Sequence, residues 1–293
     1  MTFLLGVSMV PTIINGRQLA KEIKTTLAKD IHHLIKKHGI APLMTTLTIG
    51  TDPTSELYLK LRDNACKEVG IATQRLLFDA ECTEEQVVQA IQDLNNDDER
   101  HGILIQYPVP RYIRQERLMA AVDPKKDIEG FHPVNLGHTM IGREDLVPCT
   151  PLAVLKILEH AAIPLQGKDI VIVNHSTVVG KPLTALFLNR NATVAVCHVF
   201  TKNLKQYTQH ADIVVSATGV PGLITAEHVK EHAVVIDVGI IETKDGVRGD
   251  VDFDSVKEKT SVITPVPGGV GPVTIACALS NMVKTYRNCL GIQ

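Results

Sequence analysis

In the first half of the chain, the spacing of apolar residues predicts helices and strands that alternate along the sequence. Leu19, Leu27 and Leu34 belong to a series spaced three or four residues apart, which predicts an amphipathic helix ending near Gly39. Further on, predicted strands and helices alternate; the apolar run 102–105 is typical of a buried strand, and a capping box at Thr83 is predicted to open the third helix. In chain order these are strand 43–49, helix 56–69 with Ser55 as its cap, strand 72–78, helix 84–94, strand 102–105 and one further short helix.

In the second half, strands and helices alternate so regularly that a doubly wound parallel sheet is predicted. Thr150 is predicted to cap a helix that runs through Glu159, because Pro151 favours the first helical turn. The change of pattern near Thr150 predicts a boundary between two α/β domains. The elements that follow are strand 169–173, helix 181–188, strand 193–197, helix 203–209, strand 213–217, helix 225–231, strand 234–238, a polar loop at 249–253, strand 261–264 and helix 273–287.

Length, charge and cysteine usage narrow the class of protein. A chain of 293 residues suits two domains with ample cores. The net charge of −2 comes with mixed signs throughout, so no basic stripe indicates nucleic acid. The six cysteines show no paired spacing, which indicates reduced thiols of a cytoplasmic protein and neither a metal site nor a disulfide framework. The segment from Met1 to Ile14 lacks the basic start of a signal peptide, and no apolar run is long enough to span a membrane.

A strand, a tight loop and a helix start form a candidate nucleotide site in the second half of the chain. The loop runs from Asn174 to Gly180, and Lys181 and Pro182 then open the helix. Backbone N–H groups and the helix dipole at such a junction favour a bound phosphate. The usual G-x-G-x-x-G pattern is absent, since Asn174, which tolerates left-handed geometry, replaces the first glycine and only Gly180 remains for close backbone approach. A plain strand–turn–helix crossover explains the same pattern, so both interpretations stay open.

The second predicted helix carries a polar pair beside its apolar stripe. Leu57, Leu61 and Ala65 form the predicted core stripe, while Tyr58 and Arg62, four residues apart, share an adjacent face. Residue types alone favour a half-buried tyrosine with a solvated arginine over a functional pair.

Three further stretches each allow a structural and a functional interpretation. Gln106 ends a buried strand, where α/β folds bind ligands, but a strand-end glutamine also commonly bonds loop backbone. The charged run 123–133 is predicted on its own to be a surface loop, although its carboxylates could contact a ligand. The Gly- and Pro-rich segment 265–272 fixes a special backbone path, either as a structural turn or to present N–H groups to a ligand.

Taken together, the motifs of these stretches resemble those of the methylenetetrahydrofolate dehydrogenase/cyclohydrolase family. The resemblance covers nearly the whole chain, and its Pro-Val-Pro-Gly-Gly-Val-Gly-Pro and Pro-Cys-Thr-Pro motifs are highly specific. The matching segments are 51–55 with Tyr58, 102–106 with Pro108 and Pro110, 126–127 with 130–133, 148–151, 179–182, 249–253 and 265–272.

The resemblance implies a two-domain α/β fold, usually in a homodimer. Residues 1–149 and 273–293 would form a folate-binding catalytic domain completed by the C-terminal helix. Residues 150–272 would form a Rossmann-like, doubly wound domain for a nicotinamide nucleotide. The implied reaction oxidises 5,10-methylenetetrahydrofolate to the methenyl compound by hydride transfer to NADP or NAD, and water addition then gives 10-formyltetrahydrofolate. Hydride transfer needs orientation more than acid–base groups, and the cofactor carries the electron chemistry.

The resemblance also implies which residues form the sites. Tyr58 would stack on the folate, and Gln106 would hydrogen-bond the catalytic base or the folate. The implied catalytic residues are Tyr58, Arg62, Gln106 and Glu129. The implied substrate-binding residues are Ser55, Tyr58, Gln106, Glu129, Pro267, Gly268 and Gly269. The implied cofactor-binding residues are Asn174, His175, Ser176, Val179, Gly180, Lys181, Pro182, Val199, Thr218 and Gly219.

Two departures from the family pattern fall in the implied folate site. Arg62 stands where the family has a lysine that is thought to assist water addition, and a guanidinium cannot usefully deprotonate. Lys60 cannot replace that lysine, because helical spacing turns it away from Tyr58. Glu129 stands where the family has an aspartate that is expected to grip the pterin edge, and its extra methylene should shift that grip.

Two more departures fall in the implied nucleotide site. Members commonly have an arginine where this chain has His175, and often a serine where it has Val199; both receive the 2′-phosphate of NADP. His175 offers at most a pH-dependent charge, and Val199 offers none. The acid that binds the ribose of NAD is missing as well, so the choice between NADP and NAD stays open.

These departures lead to three hypotheses. The first is a folate-dependent dehydrogenase whose cyclohydrolase step is weakened. The second is the same scaffold acting on another one-carbon carrier, and the third is a non-catalytic folate- or nucleotide-binding protein. Tyr58, Gln106 and the intact Gly/Pro segment favour retained chemistry, and therefore the first hypothesis.

Overall fold

The computed structural model describes residues 10–50, 53–244 and 246–292, with the backbone alone at residues 53–55. The chain divides into two compact α/β units, each named for its main sheet. Their parallel sheets and flanking helices confirm the predicted fold class. The three-stranded unit consists of residues 18–50, 53–153 and 273–292, and the six-stranded unit consists of residues 10–17, 154–244 and 246–272.

Helices and strands alternate along most of the described chain. The capping box predicted at Thr83 is present, since Thr83 Oγ1 accepts from the Gln86 amide at 3.2 Å and Gln86 Oε1 accepts from the Thr83 amide at 2.8 Å. The helices are α1 (Gly16–His38), α2 (Pro53–Val69), α3 (Glu84–Asn95), α4 (Gln115–Ala121), α5 (Pro133–Met140), α6 (Cys149–His160), α7 (Gly180–Leu188), α8 (Leu204–Thr208), α9 (Phe253–Lys257) and α10 (Val270–Cys289). The strands are β1 (Thr12–Ile13), β2 (Leu43–Ile49), β3 (Ala72–Phe78), β4 (Gly102–Ile105), β5 (Asp169–Val173), β6 (Thr193–Cys197), β7 (Ile213–Ser216), β8 (Ala233–Asp237), β9 (Ile241–Thr243), β10 (Gly246–Arg248) and β11 (Thr260–Ile263).

The three-stranded sheet has the order β3-β2-β4, and both strand pairs are parallel. Its core gathers apolar side chains of the sheet and of α3 and α4, among them the fully buried Leu47, Ile91 and Leu118. Parallel strands end at a common edge, and Gln106 directly follows β4 at that edge. The sheet thus brings a polar side chain to the place where α/β folds bind ligands.

The six-stranded sheet has the order β1-β11-β8-β7-β5-β6 and is parallel throughout. From β5 the chain proceeds to β6 on one side and then to β7 on the other. Such a reversal of strand order opens a crevice at the carboxyl ends of β5 and β7, where nucleotides bind in doubly wound folds. The edge strand β1 and the β9–β10 hairpin were not predicted. No described helix has the length and hydrophobicity needed to cross a bilayer.

Helix α2 buries a different face from the predicted one. Leu57 and Leu61 are exposed, whereas Leu59 and Arg62 are buried. The predicted core stripe is therefore wrong at its first two positions, and only Ala65 lies in the core. Apolar residues occur on two sides of this helix, so their spacing alone does not determine which side is buried. The buried side is the one from which Arg62 donates hydrogen bonds to Thr46 in β2 and to Gln106 just after β4.

Helix α10 begins at Val270, three residues earlier than predicted, and two further helices begin before their predicted caps. Helix α2 begins at Pro53, so Ser55 lies inside the helix and is not its cap; the side chain of Ser55 lies outside the described residues. Helix α6 begins at Cys149, so Thr150 is likewise not a cap. Both helices carry a proline in their first turn, where the missing N–H of Pro53 and of Pro151 leaves no intrahelical hydrogen bond unmade.

Two segments differ in kind from the prediction. The predicted helix at 225–231 is a 3₁₀ turn at 226–228, after which Val229 becomes extended and enters the core. The run 123–133 is not a surface loop, because Lys126 and Asp127 are buried and Pro133 begins α5. The prediction for 123–133 rested on its charged composition. It is wrong because the folded chain supplies hydrogen bonds to the buried side chains of Lys126 and Asp127.

Candidate functional site

Arg62 is a fully buried cation, 1% exposed, on the inner face of α2. Its Nη2 donates to Thr46 Oγ1 at 3.0 Å and its Nη1 donates to Gln106 Oε1 at 3.4 Å. Its Nε has no hydrogen-bond partner among the described residues. The guanidinium carbon lies 6.0 Å from the ring centre of Tyr58. The interpretation of Arg62 as a solvated side chain is therefore wrong, and the arginine joins Tyr58 and Gln106 in one cluster.

Gln106 is fixed at both ends of its amide. Its Oε1 faces Arg62, and its Nε2 donates to the carbonyl of Tyr107 at 2.8 Å. Gln106 therefore bonds loop backbone, as the structural interpretation expects. It also contacts the side-chain cluster around Arg62, as the functional interpretation expects. The peptide bond that follows, Tyr107–Pro108, is cis.

Lys126 holds the segment before Glu129 against the end of α3. Its Nζ donates to three backbone carbonyls, those of Leu94 at 3.1 Å, Asn95 at 2.8 Å and Asp97 at 2.7 Å. These are carbonyls at a helix C-terminus, which an ammonium stabilises. Lys126, part of one of the resemblance motifs, thus has a structural role.

Asp127 organises the loop that presents Glu129. Its Oδ1 accepts from the Gly130 amide at 3.0 Å, and its Oδ2 accepts from the His132 amide and from Asn135 Nδ2, both at 2.8 Å. Gly130 has a φ of +72°, and a Cβ there would lie 2.6 Å from the carbonyl carbon of Val147. The path of the loop is therefore fixed by a buried carboxylate and by a position that only glycine can occupy without strain.

Asn281 on α10 fastens the same loop from the other end of the chain. Its Nδ2 donates to the carbonyls of Ile128 at 2.9 Å and Val147 at 2.8 Å. Asn281 is completely buried, and no part of the sequence pattern identified it. Its place beside the core residues Ala278 and Met282 on α10 is a signal that could have found it.

The cluster combines three titratable groups of different character. Burial raises the pKa of Glu129 to about 7, with the Arg62 guanidinium opposing this rise and the Asp127 carboxylate adding to it. Burial and then the Glu129 carboxylate raise the pKa of Tyr58 above its usual range, while Arg62 lowers it. At neutral pH the cluster therefore holds a permanent cation, a neutral phenol and a carboxyl group close to its midpoint.

Replacing Glu129 by glutamine should flatten the pH dependence of stability. The folded-state pKa lies above the ordinary value of 4.5, so the stabilisation from this group is complete below about pH 4.5 and is lost as pH rises through 7. The unfolding free energy of Glu129→Gln, relative to the original protein, should rise by about 1–3 kcal/mol between pH 4.5 and 8. Urea denaturation at each pH measures it. Glu116→Gln, which changes an exposed side chain of the same unit, is the control. If the difference in unfolding free energy between Glu129→Gln and the original protein stays constant with pH, the raised pKa of Glu129 is wrong.

In the six-stranded unit, Asn174 organises the loop between β5 and α7. Its Oδ1 accepts from the amide of Ser176 at 2.7 Å and from the amide of Gly180 at 3.0 Å, and its Nδ2 donates to the Ala217 carbonyl at 2.6 Å. A Cβ on Gly180 would lie 2.1 Å from the Asn174 carbonyl oxygen. Asn174 thus acts through its side chain and does not adopt the left-handed geometry for which it was considered.

A buried carboxylate holds the neighbouring loop after β7. Asp250 is 0% exposed, and it accepts from the amides of Thr218 at 2.5 Å and Gly219 at 2.9 Å and from Ser216 Oγ at 2.7 Å. A polar loop was predicted around Asp250, but its burial was not. Thr218 and Gly219 are thereby fixed at the carboxyl end of β7, beside the Asn174 loop.

The remaining predicted residues also belong to the six-stranded unit. His175 and Val199 follow β5 and β6, and both are exposed. Lys181 and Pro182 lie in the first turn of α7. Ser176 and Val179 belong to the Asn174 loop, where Ser176 Oγ accepts from the Val179 amide at 3.2 Å.

The Gly- and Pro-rich segment forms a close contact with the start of α1. A Cβ on Gly16 would lie 1.8 Å from the Gly269 carbonyl oxygen. Gly268 has a φ of +104°, and the Val266–Pro267 peptide bond is cis. Within the six-stranded unit, the segment 265–272 therefore acts as a structural turn that packs closely against the start of α1.

Comparisons with known proteins agree with both units. The model of the tetrahydrofolate dehydrogenase/cyclohydrolase catalytic domain matches residues 14–129, and that of the family's NAD(P)-binding domain matches residues 148–290. The bifunctional protein FolD of Methanosarcina barkeri is 51% identical over 271 residues, covering 92% of this chain and 94% of that protein.

Solved structures give the same result. The bifunctional enzyme FolD of Campylobacter jejuni, a methylenetetrahydrofolate dehydrogenase/cyclohydrolase, has a TM-score of 0.92 at 42% identity, covering 94% of this chain and 99% of that one. The Trypanosoma brucei dehydrogenase-cyclohydrolase, solved with NADP and an inhibitor, has a TM-score of 0.91 at 32% identity, covering 96% of this chain and 98% of that one.

Proposed function

The chain belongs to the tetrahydrofolate dehydrogenase/cyclohydrolase family, and we propose that it oxidises 5,10-methylenetetrahydrofolate to 5,10-methenyltetrahydrofolate with NAD(P)⁺ but hydrates that product only weakly. The observation that carries the proposal is the cluster in the three-stranded unit that the buried Arg62 forms with the half-buried Tyr58, Gln106 and Glu129. A pre-positioned cluster suits a hydride transfer, which depends on orientation.

Each member of the cluster has a proposed role toward the folate. Tyr58 packs its ring on the pterin, and Glu129 accepts hydrogen bonds from the pterin edge when it is ionised. Gln106 and Arg62 fix one another and the floor of the site. Ser55, Pro267, Gly268 and Gly269 stay predicted substrate-binding residues on the resemblance alone.

The nucleotide is proposed to bind in the six-stranded unit. NAD(P)⁺, when bound, supplies the hydride acceptor. The Asn174 loop carries the pyrophosphate at the start of α7, while Thr218 and Gly219, fixed by Asp250, border the same crevice. The amides of Thr177 and Val178 form no hydrogen bond within the described part of the chain, so they are available to an anion.

Weak hydration follows from the chemistry of Arg62. A lysine in a low-dielectric site can lose and regain its proton near neutral pH, whereas a guanidinium stays protonated. The second hydrogen-bonding arm of Arg62 is also occupied by Thr46. Proton transfer from water therefore lacks the base that the family pattern provides, and general-base catalysis is worth about 10²–10⁴-fold.

Turnover of the purified protein tests the proposal. Methylenetetrahydrofolate is supplied with NADP and with NAD in separate reactions, and nicotinamide reduction is followed together with methenyl absorbance. Reduction with accumulating methenyltetrahydrofolate is expected. Reduction without accumulation would overturn the weak hydration, and the absence of reduction with either nucleotide would overturn the dehydrogenase assignment.

A homodimer and a cytoplasmic location are proposed on separate grounds. Strand β3 is an edge of its sheet, and Leu57, Leu61 and Leu77 expose apolar surface beside it, so an antiparallel β3 of a second copy would cover both. All six cysteines are free thiols, as a reducing compartment favours. Sedimentation equilibrium should give the mass of two chains, and a monomer at micromolar concentration would exclude the dimer.

A further inference from the structure

Two buried carboxylates lie next to one another at the carboxyl ends of β7 and β8. Asp237 is the last residue of β8 and is 3% exposed, while Asp250 is 0% exposed. A Cβ on Gly249 would lie 2.0 Å from Asp237 Oδ2, and a Cβ on Gly239 would lie 2.1 Å from Asp250 Oδ1. Backbone therefore encloses both carboxylates tightly. The sequence pattern assigned no role to Asp237.

Asp237 holds the backbone that carries Asp250. Its Oδ1 accepts from the amides of Gly239 at 2.9 Å and Asp250 at 3.0 Å, and its Oδ2 accepts from the Val251 amide at 2.9 Å. All three partners are donors, so they suit an ionised carboxylate, which only accepts. Within the described part of the chain, neither Asp237 nor Asp250 forms an ion pair with a basic side chain.

Asp250 links Asp237 to the crevice at the carboxyl ends of β5 and β7. Its carboxylate accepts from both amides of the turn 218–219, which follows β7. The carbonyl of the preceding residue, Ala217, accepts from Asn174 Nδ2 in the loop after β5. Strands β8, β7 and β5 are neighbours in the sheet. One chain of hydrogen bonds therefore runs along their carboxyl ends and begins at Asp237.

We propose that Asp237 is a positioning residue for nucleotide binding, which acts through Asp250 on the turn 218–219. The inference rests on the proposed function, in which this turn borders the bound nucleotide. The role requires ionised Asp237, because a protonated carboxyl group turns an O–H towards amides that are themselves donors. Protonation should loosen the segment 249–251 and with it the turn. The affinity for the nucleotide should therefore fall as Asp237 takes up a proton.

Asp237 titrates in a range where this dependence can be measured. Burial, and in addition the Asp250 carboxylate, raise the pKa of Asp237 to about 6, while its three amide partners oppose the rise. Asp250 is the charged group that faces it; the neighbouring strands contribute hydroxyl groups, since Ser216 Oγ donates to Asp250 and the Asp237 amide donates to Thr264 Oγ1. Because the pKa lies above the ordinary 3.8, the contribution of Asp237 to stability is complete below about pH 3.8 and is lost as pH rises through 6. Ionisation thus lowers stability while it supports nucleotide binding.

Asp237→Asn tests the inference, because it removes the charge and keeps the shape. Calorimetry with NAD and with NADP gives the affinities at pH 8 and at pH 5. At pH 8 the variant should bind the tighter of the two nucleotides at least about tenfold more weakly than the unaltered protein, and at pH 5 the difference should shrink to about twofold or less. Asp254→Asn, on a side chain of α9 that is 87% exposed, is the matched control and should bind like the unaltered protein at both pH values.

Urea denaturation of the same proteins separates positioning from a purely structural role. Between pH 5 and pH 8, the unfolding free energy of Asp237→Asn relative to the unaltered protein should rise, while its relative nucleotide affinity falls. An affinity ratio that stays constant with pH would overturn the inference and leave the nucleotide site in place. If the unaltered protein binds neither nucleotide at pH 8, the proposed function is wrong and the inference is wrong with it.

Hydrogen exchange of the unaltered protein decides the matter if Asp237→Asn does not fold. After correction for the intrinsic exchange rate, the amides of the turn 218–219 should be at least about threefold less protected at pH 5 than at pH 8. The amides of β5 should keep their protection over the same range. Equal protection of the turn at both pH values would show that Asp237 does not control it.

Discussion

Arg62→Lys should raise the rate of methenyltetrahydrofolate hydrolysis by at least about tenfold, and up to about a hundredfold, while the dehydrogenase rate changes by less than about threefold. Methenyltetrahydrofolate should then no longer accumulate during turnover. The ratio of methenyl formed to nicotinamide reduced measures the effect within a single reaction.

The physical reason lies in the surroundings of Arg62. A lysine at this position would be an ammonium buried near Tyr58 and Glu129, and burial lowers the pKa of an ammonium towards the range where it exchanges protons with water. The shorter head group would also give up one of the two hydrogen bonds to Thr46 and Gln106. That loss should cost about 1–3 kcal/mol of stability, so thermal unfolding should be recorded alongside the rates.

Lys60→Arg is the matched control for this experiment. Lys60 is exposed on α2, and its Nζ lies 3.9 Å from Glu56 Oε1, outside the cluster around Arg62. The reciprocal exchange of the same two residue types should therefore leave both rates unchanged. If the unaltered protein already hydrolyses the methenyl compound as fast as Arg62→Lys does, the guanidinium is no obstacle and the proposed weakness of the second step is wrong.

Gly130→Ala should lower the free energy of unfolding by about 3–5 kcal/mol. Two costs add: an alanine at a φ of +72° is strained by about 1–2 kcal/mol, and its Cβ would lie only 2.6–2.9 Å from backbone atoms of Val147 and Pro148. Relief of that clash would move the loop and with it Glu129. The KM for the folate should therefore rise together with the loss of stability, which denaturant titration measures.

Gly142→Ala separates the two costs. Gly142 has a φ of +82° in the same unit, but nothing lies within 4 Å of a Cβ placed there. It should lose about 1–2 kcal/mol, with the KM unchanged. Equal losses in the two variants would mean that backbone strain alone matters at Gly130 and that the loop tolerates a side chain.

Local patterns predicted the strands more reliably than the helix faces. The bounds of β2, β3 and β4 agree with the prediction residue for residue, although only β4 is an unbroken apolar run. The face of α2 was wrong because its apolar residues lie on two sides. Burial of Arg62 depends on Thr46 and Gln106, which come from two other elements and are invisible to a helical period.

The candidate site could be predicted only as a set of residues. The resemblance named Tyr58, Gln106 and Glu129, and the structure brings them together around Arg62. Composition placed Asp127 on the surface, because charged residues are usually solvated; three N–H donors from its own loop and from α5 reverse that expectation. Hydrogen bonding of a buried carboxylate arises only in the folded chain, so a short stretch of sequence does not reveal it.

The hydrogen bonds of Asn281 have a consequence for biosynthesis. The asparagine follows Ile128, the residue whose carbonyl it holds, by 153 positions. At about 5–20 residues per second, a ribosome takes roughly 8–30 seconds to cover that distance. Throughout this interval the segment that carries Glu129 lacks its hydrogen bonds to Asn281. The strands β5 to β11 emerge during the same interval and have time to pair. The six-stranded unit is thus available to fold before Asn281 fixes the loop that carries Glu129.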